Sequence, residues 1–395
     1  MKKIFLLILL NFLLFEISNA DFKKIKKKAV VNNPEIIFPL PKDLKGCRTE
    51  MRINPKYNKV TPIIELDAPE GYGLDERFSE AGGKFGEFSI PCSTGNKEAC
   101  TYAVKVILDW AKAGAAKRIG PNDDEGKYWN DTLTVNLFIA SPMMAAYSFA
   151  KQVINVPDED DKIIKDWFKK IVKKNQHLLY GKTYDYGGAM GTPKRAHNHA
   201  LSSAVAHMAL GVLLDDNILF RKAFRNYEAA IRYQRKDGSM PIEVRRGGRA
   251  MFYQGRAMNA LAVIAIIAEH QGYNIWELDF KGKNYHNLVK FFLDFSENNQ
   301  IVFKYAKENR FPGPAKNYKV QDLKSNSSSN FGWFYAYATR FPDHENIKRV
   351  KTWIKNKDET NGYQRRIMQQ FKNLNKRGFG SASWTVVEPF CHFTK

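Results

Sequence analysis

Residues 198–214 read NHALSSAVAHMALGVLL, and residues 216–235 read DNILFRKAFRNYEAAIRYQR. The first run is apolar or small on most faces, the pattern of a helix enclosed on all sides. The second sets apolar residues at helical spacing and charges opposite them, the pattern of a helix half in water. One buried and one amphipathic helix, joined by a turn at Asp215, make a hairpin with an inner and an outer arm.

The same alternation extends in both directions. Asp237-Gly238 marks a turn. Gly248 to His270 is again apolar, and Tyr285 to Glu297 is amphipathic. Upstream, Tyr102, Val106 and Trp110 are four apart with Ala103 and Ile107 beside them, so helical periodicity begins near residue 98. Thr132 to Val153 reads as a long apolar helix that Pro142 kinks or splits. Asp161 to Leu179 is amphipathic, and further helical stretches fall near 330–340, 344–356 and 361–374. No run alternates long enough for a major sheet. The expected fold is all-α, a ring of helical hairpins.

The chain has 395 residues, enough for a substantial core. Residues 1–20 have the form of a signal peptide. Met1-Lys2-Lys3 is basic, Ile4 to Phe15 is apolar, and Ser18-Asn19-Ala20 supplies small residues for cleavage. The apolar run is short for a membrane span, and no later segment reads as one. Residues 21–95 are rich in Pro and Gly and read as an extended arm. Its stretch from Gly71 to Phe88 holds five glycines and is a candidate lid. The helical domain is expected over 96–395.

Export agrees with the four cysteines, which allow three pairings. The favoured one closes the short Cys92–Cys100 loop and ties Cys47 to Cys391, since chain ends often lie close together. Without a Cys-x-x-Cys pair, a zinc site is not expected. The net charge is +21. Part of it is the run Lys23 to Lys28, read as a solvated tail. The rest points to a polyanionic partner, and export favours an acidic glycan over nucleic acid. The expected state is a periplasmic or secreted monomer, free of the membrane after cleavage.

Chemistry concentrates in two places. Asn198-His199 opens the 198–214 helix. Some forty residues later, Pro241, Glu243, Arg245, Arg246, Arg249, Tyr253 and Arg256 follow in quick succession. Four arginines within twelve residues of an otherwise apolar segment are hard to place on a solvated face alone. On a helix, Arg246, Arg249 and Tyr253 share a face. Guanidiniums beside an imidazole and a phenol suit proton abstraction next to a carboxylate, where charge must be neutralised as it develops.

The pattern Asn-His at a helix start, followed by Pro-x-Glu-Val-x-Arg-x-x-Arg-Ala-Met-x-Tyr, resembles the alginate lyase family. The resemblance is carried by residues 195–270. It implies an incomplete (α/α) toroid and β-elimination of a 1,4-linked polyuronate, without a metal or other cofactor. Mannuronan is the first substrate to expect and glucuronan the next. Carried over residue by residue, Arg246 and Asn198 neutralise the uronate carboxylate and His199 is the general base. Tyr253 protonates the departing O4, or serves as base and acid in turn according to the C5 stereochemistry. Arg249, Arg245, Arg256, Lys194, Arg195, Tyr184, Tyr186 and Trp129 are candidate sugar contacts. Glu243 reads as a structural partner for an arginine, His197 as a neighbour of the site and His207 as core.

The chain also departs from the family pattern. Ala200-Leu201-Ser202 stands where the family continues with a hydroxyl residue and Tyr-Trp. Gln254 and Arg256 replace a histidine and a second tyrosine, and His197 replaces an asparagine. Three other classes were weighed. HNH nucleases disperse their named residues over a ββα-metal unit, whereas here they are adjacent. A hydrolase needs two carboxylates across a cleft, and Glu243 has no evident partner. A non-catalytic glycan-binding protein would keep the arginines but has no need of both His199 and Tyr253.

Overall fold

In this computed structural model the structure describes residues 19–52, 54–56, 59–66, 75–117, 135–173, 194–309, 316–323, 332–373 and 389–392. The principal helices are α1 (Asn19–Lys28), α2 (Glu76–Ser93), α3 (Lys97–Lys112), α4 (Ser141–Val153), α5 (Asp158–Lys173) and α6 (Asn198–Leu213). They continue with α7 (Asn217–Tyr233), α8 (Ala250–His270), α9 (Tyr285–Glu297), α10 (Gly332–Arg340), α11 (Glu345–Lys355) and α12 (Gly362–Asn373). Among the described residues the only β pairing is a single bridge between Glu65 and Lys117.

Inner and outer helices alternate as expected. α4, α6, α8 and α10 are buried almost throughout. α3, α7, α9 and α11 bury one face and wet the other. α6 packs on α4 and α8, and α8 packs on α10, so the inner helices run side by side around an axis. The architecture is an incomplete (α/α) toroid. Its tightest hairpin is α6–α7, the pair read first from the sequence. There a Cβ on Gly211 would lie 2.4 Å from the backbone nitrogen of Phe220, so only glycine permits the approach. α8 with the turn before it is long and apolar enough to cross a membrane, but it is 94% buried inside the protein. Here that composition belongs to a core helix.

The N-terminal arm straps one mouth of the ring. The backbone N–H of Ile37 donates to Ser148 of α4, that of Glu35 to the carbonyl of Val212 in α6, and that of Asn32 to Gln271 just after α8. All three anchors lie at the C-terminal ends of inner helices. The N-terminal ends of α6 and α8 therefore open at the opposite mouth.

Two expectations are corrected. Lys23 to Lys28 is no solvated tail but part of α1, which buries Phe22 against Phe224 and pairs Lys26 with Glu228 of α7. The helical body starts at Glu76, about twenty residues early, because Phe78, Phe85 and Phe88 recur at helical spacing and are buried under α3 and α4. Most of the candidate lid is thus packed helix, while residues 71–74 lie outside the described residues. The glycines at 82, 83 and 86 hid this periodicity, since glycine weakens a helix locally but packing overrides it. The break expected at Pro142 in the apolar helix is present, just before the proline. A π-helical turn, Val135–Ala140, precedes α4, and Pro142 sits in the first turn of α4, where its missing N–H costs nothing.

Both expected disulfides are present, Cys92–Cys100 and Cys47–Cys391. The second holds the turn Pro389–His392, which packs on α10, touches Phe149 of α4 and hydrogen-bonds Ser93 of α2 through His392. This turn bridges the two open ends of the toroid. Replacing Cys47 and Cys391 together by serine should lower unfolding stability by about 2–5 kcal/mol, and more than the same change at Cys92 and Cys100, because the loop closed is far longer. Denaturant midpoints of the two double variants check the order.

Candidate active site

The open mouth is built from the N-termini of α6 and α8. α6 begins at Asn198 after His197, whose side chain makes no cap. The cap comes from another segment. Oε1 of Glu243 accepts from the backbone N–H of Asn198 at 2.8 Å, and Oε2 accepts from its amide Nδ2 at 2.8 Å. A carboxylate at a helix N-terminus meets both its unpaired N–H groups and its positive dipole end. Asn198 and Glu243 are fully buried.

Glu243 lies in the first of two short 3-10 turns, Glu243–Arg245 and Gly247–Arg249, that lead into α8. Gln254 braces this approach, accepting from the N–H of Met240 and donating to the carbonyl of Gly238. Gln321 caps α8 from a distance by accepting from the N–H of Met251. The approach places Arg245, Arg246 and Arg249 at a helix N-terminus, the end that ordinarily favours acids. Local helix electrostatics therefore do not account for these guanidiniums.

Four expected residues come together here. The guanidinium carbon of Arg246 stands 3.4 Å from the centroid of the Tyr253 ring. Its NH1 lies 3.4 Å from Nε2 of His197 and 3.9 Å from Oε2 of Glu243. The rings of His197 and His199 are 4.7 Å apart. The contacts run His199, His197, Arg246, Tyr253, with Asn198 held beside His197 at 3.2 Å. The Asn198 amide is directed to Glu243 and His197, so its donors are engaged within the protein.

The arginines divide. Arg245 turns to Glu308 at 3.1 Å, and Arg249 stands 3.9 Å from Asp322 at the rim. Arg249 and Arg256 lie on the Phe252 ring, at 5.7 and 4.8 Å from its centroid. Arg195 is exposed on the turn before α6. The Lys194 side chain, Tyr184, Tyr186 and Trp129 lie outside the described residues. Sequence reading missed Gln321, Asp322 and Phe252. None carries a spacing signal, because each matters only through what packs on it. It gave Glu243 an arginine as partner, and Arg246 does stand 3.9 Å from it; what it missed are the two short hydrogen bonds to Asn198. His207 is core as expected, fully buried with Nδ1 on the carbonyl of Ser203. A cavity of about 790 Å³ lies elsewhere, lined by Glu297, Asp322, Asn361, Tyr363 and Arg366 among others, and reaches none of the four clustered residues.

Burial, then the charges of Arg246 and Arg256, hold His199 well below the ordinary histidine range. His197 is lowered by burial, by His199 and by Arg246. Both imidazoles are neutral at neutral pH. Burial raises the Glu243 carboxyl to about 7 despite the opposing pull of Arg246 and the Asn198 hydrogen bonds. A neutral imidazole can take a proton, a phenol can give one, and Arg246 can offset a developing anion.

The raised Glu243 carboxyl makes the fold pH-dependent. Folded protein holds this proton more tightly than the unfolded chain, so its contribution is complete below the unfolded carboxyl range and is lost as pH rises through about 7. The loss is on the order of 3 kcal/mol. Glu243→Gln removes the titration. Its stability relative to wild type should therefore improve steadily between roughly pH 5 and pH 8. Denaturant melts across that range check this, and a pH-independent difference would contradict it.

With the geometry in place, comparison with known proteins is specific. The alginate lyase family model matches residues 92–303, more than half of the chain and well beyond 195–270. An alginate lyase of Pseudomonas syringae pv. syringae is 27% identical over 186 residues, 46% of this chain and 45% of that protein. A polysaccharide lyase of Stenotrophomonas maltophilia is 26% identical over 181 residues, 45% of this chain and 49% of that one. The chain thus spans about half the length of the curated relatives it matches. Alginate lyase A1-III from Sphingomonas species A1 superposes with a TM-score of 0.62 at 17% identity, covering 82% of this chain and 92% of that one. A histidine-to-alanine form of that lyase, complexed with tetrasaccharide, gives 0.62 at 18% identity and the same coverage. The structural likeness establishes the toroid, and the sequence match establishes kinship: the chain belongs to the alginate lyase family.

Proposed function

We propose that the protein is an exported polysaccharide lyase that cleaves a 1,4-linked polyuronate by β-elimination, with polymannuronate the first substrate and glucuronan the next. The observation that carries this reading is the guanidinium of Arg246 lying 3.4 Å from the Tyr253 ring with a neutral imidazole close by. The names of the relatives, alginate lyase and polysaccharide lyase, support it, as does the tetrasaccharide held by a protein of the same fold.

The C5 proton of a uronate is weakly acidic, and its removal pushes charge onto the adjacent carboxylate. Arg246 meets that carboxylate, with Asn198 beside it. His199 takes the C5 proton through its neutral imidazole. The released electron pair forms the C4–C5 double bond, and the C4–O4 bond breaks. Tyr253 delivers a proton to the departing O4, or acts as both base and acid where the C5 stereochemistry presents the proton to it. The products are a new reducing end and a 4,5-unsaturated uronate. Proton transfer by a positioned side chain contributes about 10²- to 10⁴-fold to rate.

Glu243 enters as a positioning residue. Its ionised form accepts one hydrogen bond on each oxygen, whereas protonation turns one of those oxygens into a donor and weakens its grip on Asn198. His199 is already neutral well below its ordinary range, so the acid limb of activity belongs to Glu243. The two disulfides suit an oxidising compartment, periplasmic or extracellular. The +21 charge suits an acidic polymer.

The test is ultraviolet absorbance of the unsaturated product with polymannuronate, polyguluronate, glucuronan, pectate and hyaluronan. His199→Ala and Tyr253→Phe should each lower kcat by about 10²- to 10⁴-fold on the polymer that wild type cleaves. The acid limb of kcat/KM should fall near pH 7 in wild type and vanish in a slower Glu243→Gln enzyme. Tight, salt-sensitive binding with no absorbance on any polymer would favour the glycan-binding alternative instead.

A further inference from the structure

Three arginines of the site region have acidic neighbours. Arg245 has Glu308 at 3.1 Å, Arg246 has Glu243 at 3.9 Å and Arg249 has Asp322 at 3.9 Å. Arg256 is different. It lies in α8, three residues beyond Tyr253 and half-buried. Its guanidinium rests 4.8 Å from the centroid of Phe252, and unlike the other three it has no carboxylate partner among the described residues. The nearby charges that act on it are Tyr253, Arg246 and Arg249, and none is a carboxylate. Burial and the two neighbouring guanidiniums depress it to about 10.

A guanidinium withdrawn from water without a counter-ion is costly, and folded proteins usually pair such groups. Here the protein supplies an aromatic face and repulsion from two like charges. Phe252 fixes the planar group in place but does not neutralise it. Among the described residues nothing supplies the missing anion, which points to the ligand as its source. It is not the carboxylate beside the abstracted proton, because Arg246 stands over Tyr253 to meet that one. Arg256 lies within electrostatic reach of His199 and feels Tyr253, so its site adjoins the reacting sugar.

We infer that Arg256 binds the carboxylate of the sugar next to the one that is cleaved, so that the enzyme selects polymers with uronates at consecutive positions over polymers in which uronates alternate with neutral sugars. This inference rests on the lyase reading for its subsite geometry, but binding tests it without turnover. Arg256 reads the second charge, while the proton transfer belongs to its neighbours. Its loss should therefore appear in affinity and KM more than in kcat.

The experiment is calorimetric binding of a mannuronate tetrasaccharide and a hyaluronan tetrasaccharide to wild type, Arg256→Gln and Arg256→Lys, followed by kinetics on the polymer that wild type cleaves. Wild type should prefer the mannuronate oligomer at least ~10-fold, and Arg256→Gln should weaken that binding by about 10- to 100-fold while leaving hyaluronan binding unchanged. KM should rise by a similar factor, with kcat held within a few-fold. Arg256→Lys keeps the charge and should keep part of the preference, and it carries the test if the glutamine variant melts early. Equal weakening for both oligomers, or none for either, would overturn the inference. So would a fall in kcat at constant KM, which would assign Arg256 to Tyr253. A wild type that binds mannuronate selectively through Arg256 yet cleaves nothing would sink the lyase reading and leave the second-anion site standing. A wild type that binds neither oligomer would overturn the inference, and cleavage of another polymer would leave the lyase reading standing.

Discussion

Glu243 reaches across the ring mouth to the first residue of α6, and the geometry of the site depends on that contact. One carboxylate caps the α6 backbone and grips the Asn198 side chain at 2.8 Å each. It therefore joins the start of one inner helix to the approach of the next. His199 follows Asn198 directly, and Arg246 and Tyr253 follow Glu243 by three and ten residues. Neither group can shift relative to the other without breaking two hydrogen bonds in a dry interior, where an unmet donor is expensive. The same burial that makes the contact rigid opposes ionisation of the carboxyl that makes it. As pH rises, the site gains its second acceptor while the fold gives up stability, an opposition common where a scaffold holds function under strain.

The toroid gives this contact a frame. Inner helices point their N-termini to one mouth, so unpaired backbone N–H groups and positive dipole ends gather there. Side chains from neighbouring segments meet these ends: Glu243 for α6, Gln321 for α8 and Asn259 for α10. A mouth lined with helix N-termini and arginines is electropositive by construction, whatever the details of any single residue. The opposite mouth is strapped by the arm from Val30 to Phe38, whose backbone groups bond to Ser148 and Gln152 in the second half of α4 and to Tyr273 just past α8.

Most of this frame was legible in the sequence. A helix apolar all round has one stable home, and α6 and α8 announce it. The outer helices carry their periodicity openly. The short spacing from Arg246 to Tyr253 and the pair Asn198-His199 marked the site because few structural roles need those groups together. What stayed hidden is instructive in physical terms. α2 was masked by glycines that disfavour a helix in isolation but are carried by the burial of Phe78, Phe85 and Phe88. The pairing of Glu243 with an arginine was legible, and Arg246 stands 3.9 Å away, but its capping of α6 was not, because a remote helix cap leaves no trace in spacing. Phe252 gave no signal, since its use comes from the two guanidiniums that settle on it.

The bond between Cys47 and Cys391 makes nearly the whole chain a covalent circle. A circle cut once is still one molecule. A protease that nicks any surface loop between these residues leaves two pieces that stay linked and packed in the same ring. That converts a single cleavage from a fatal event into a tolerated one.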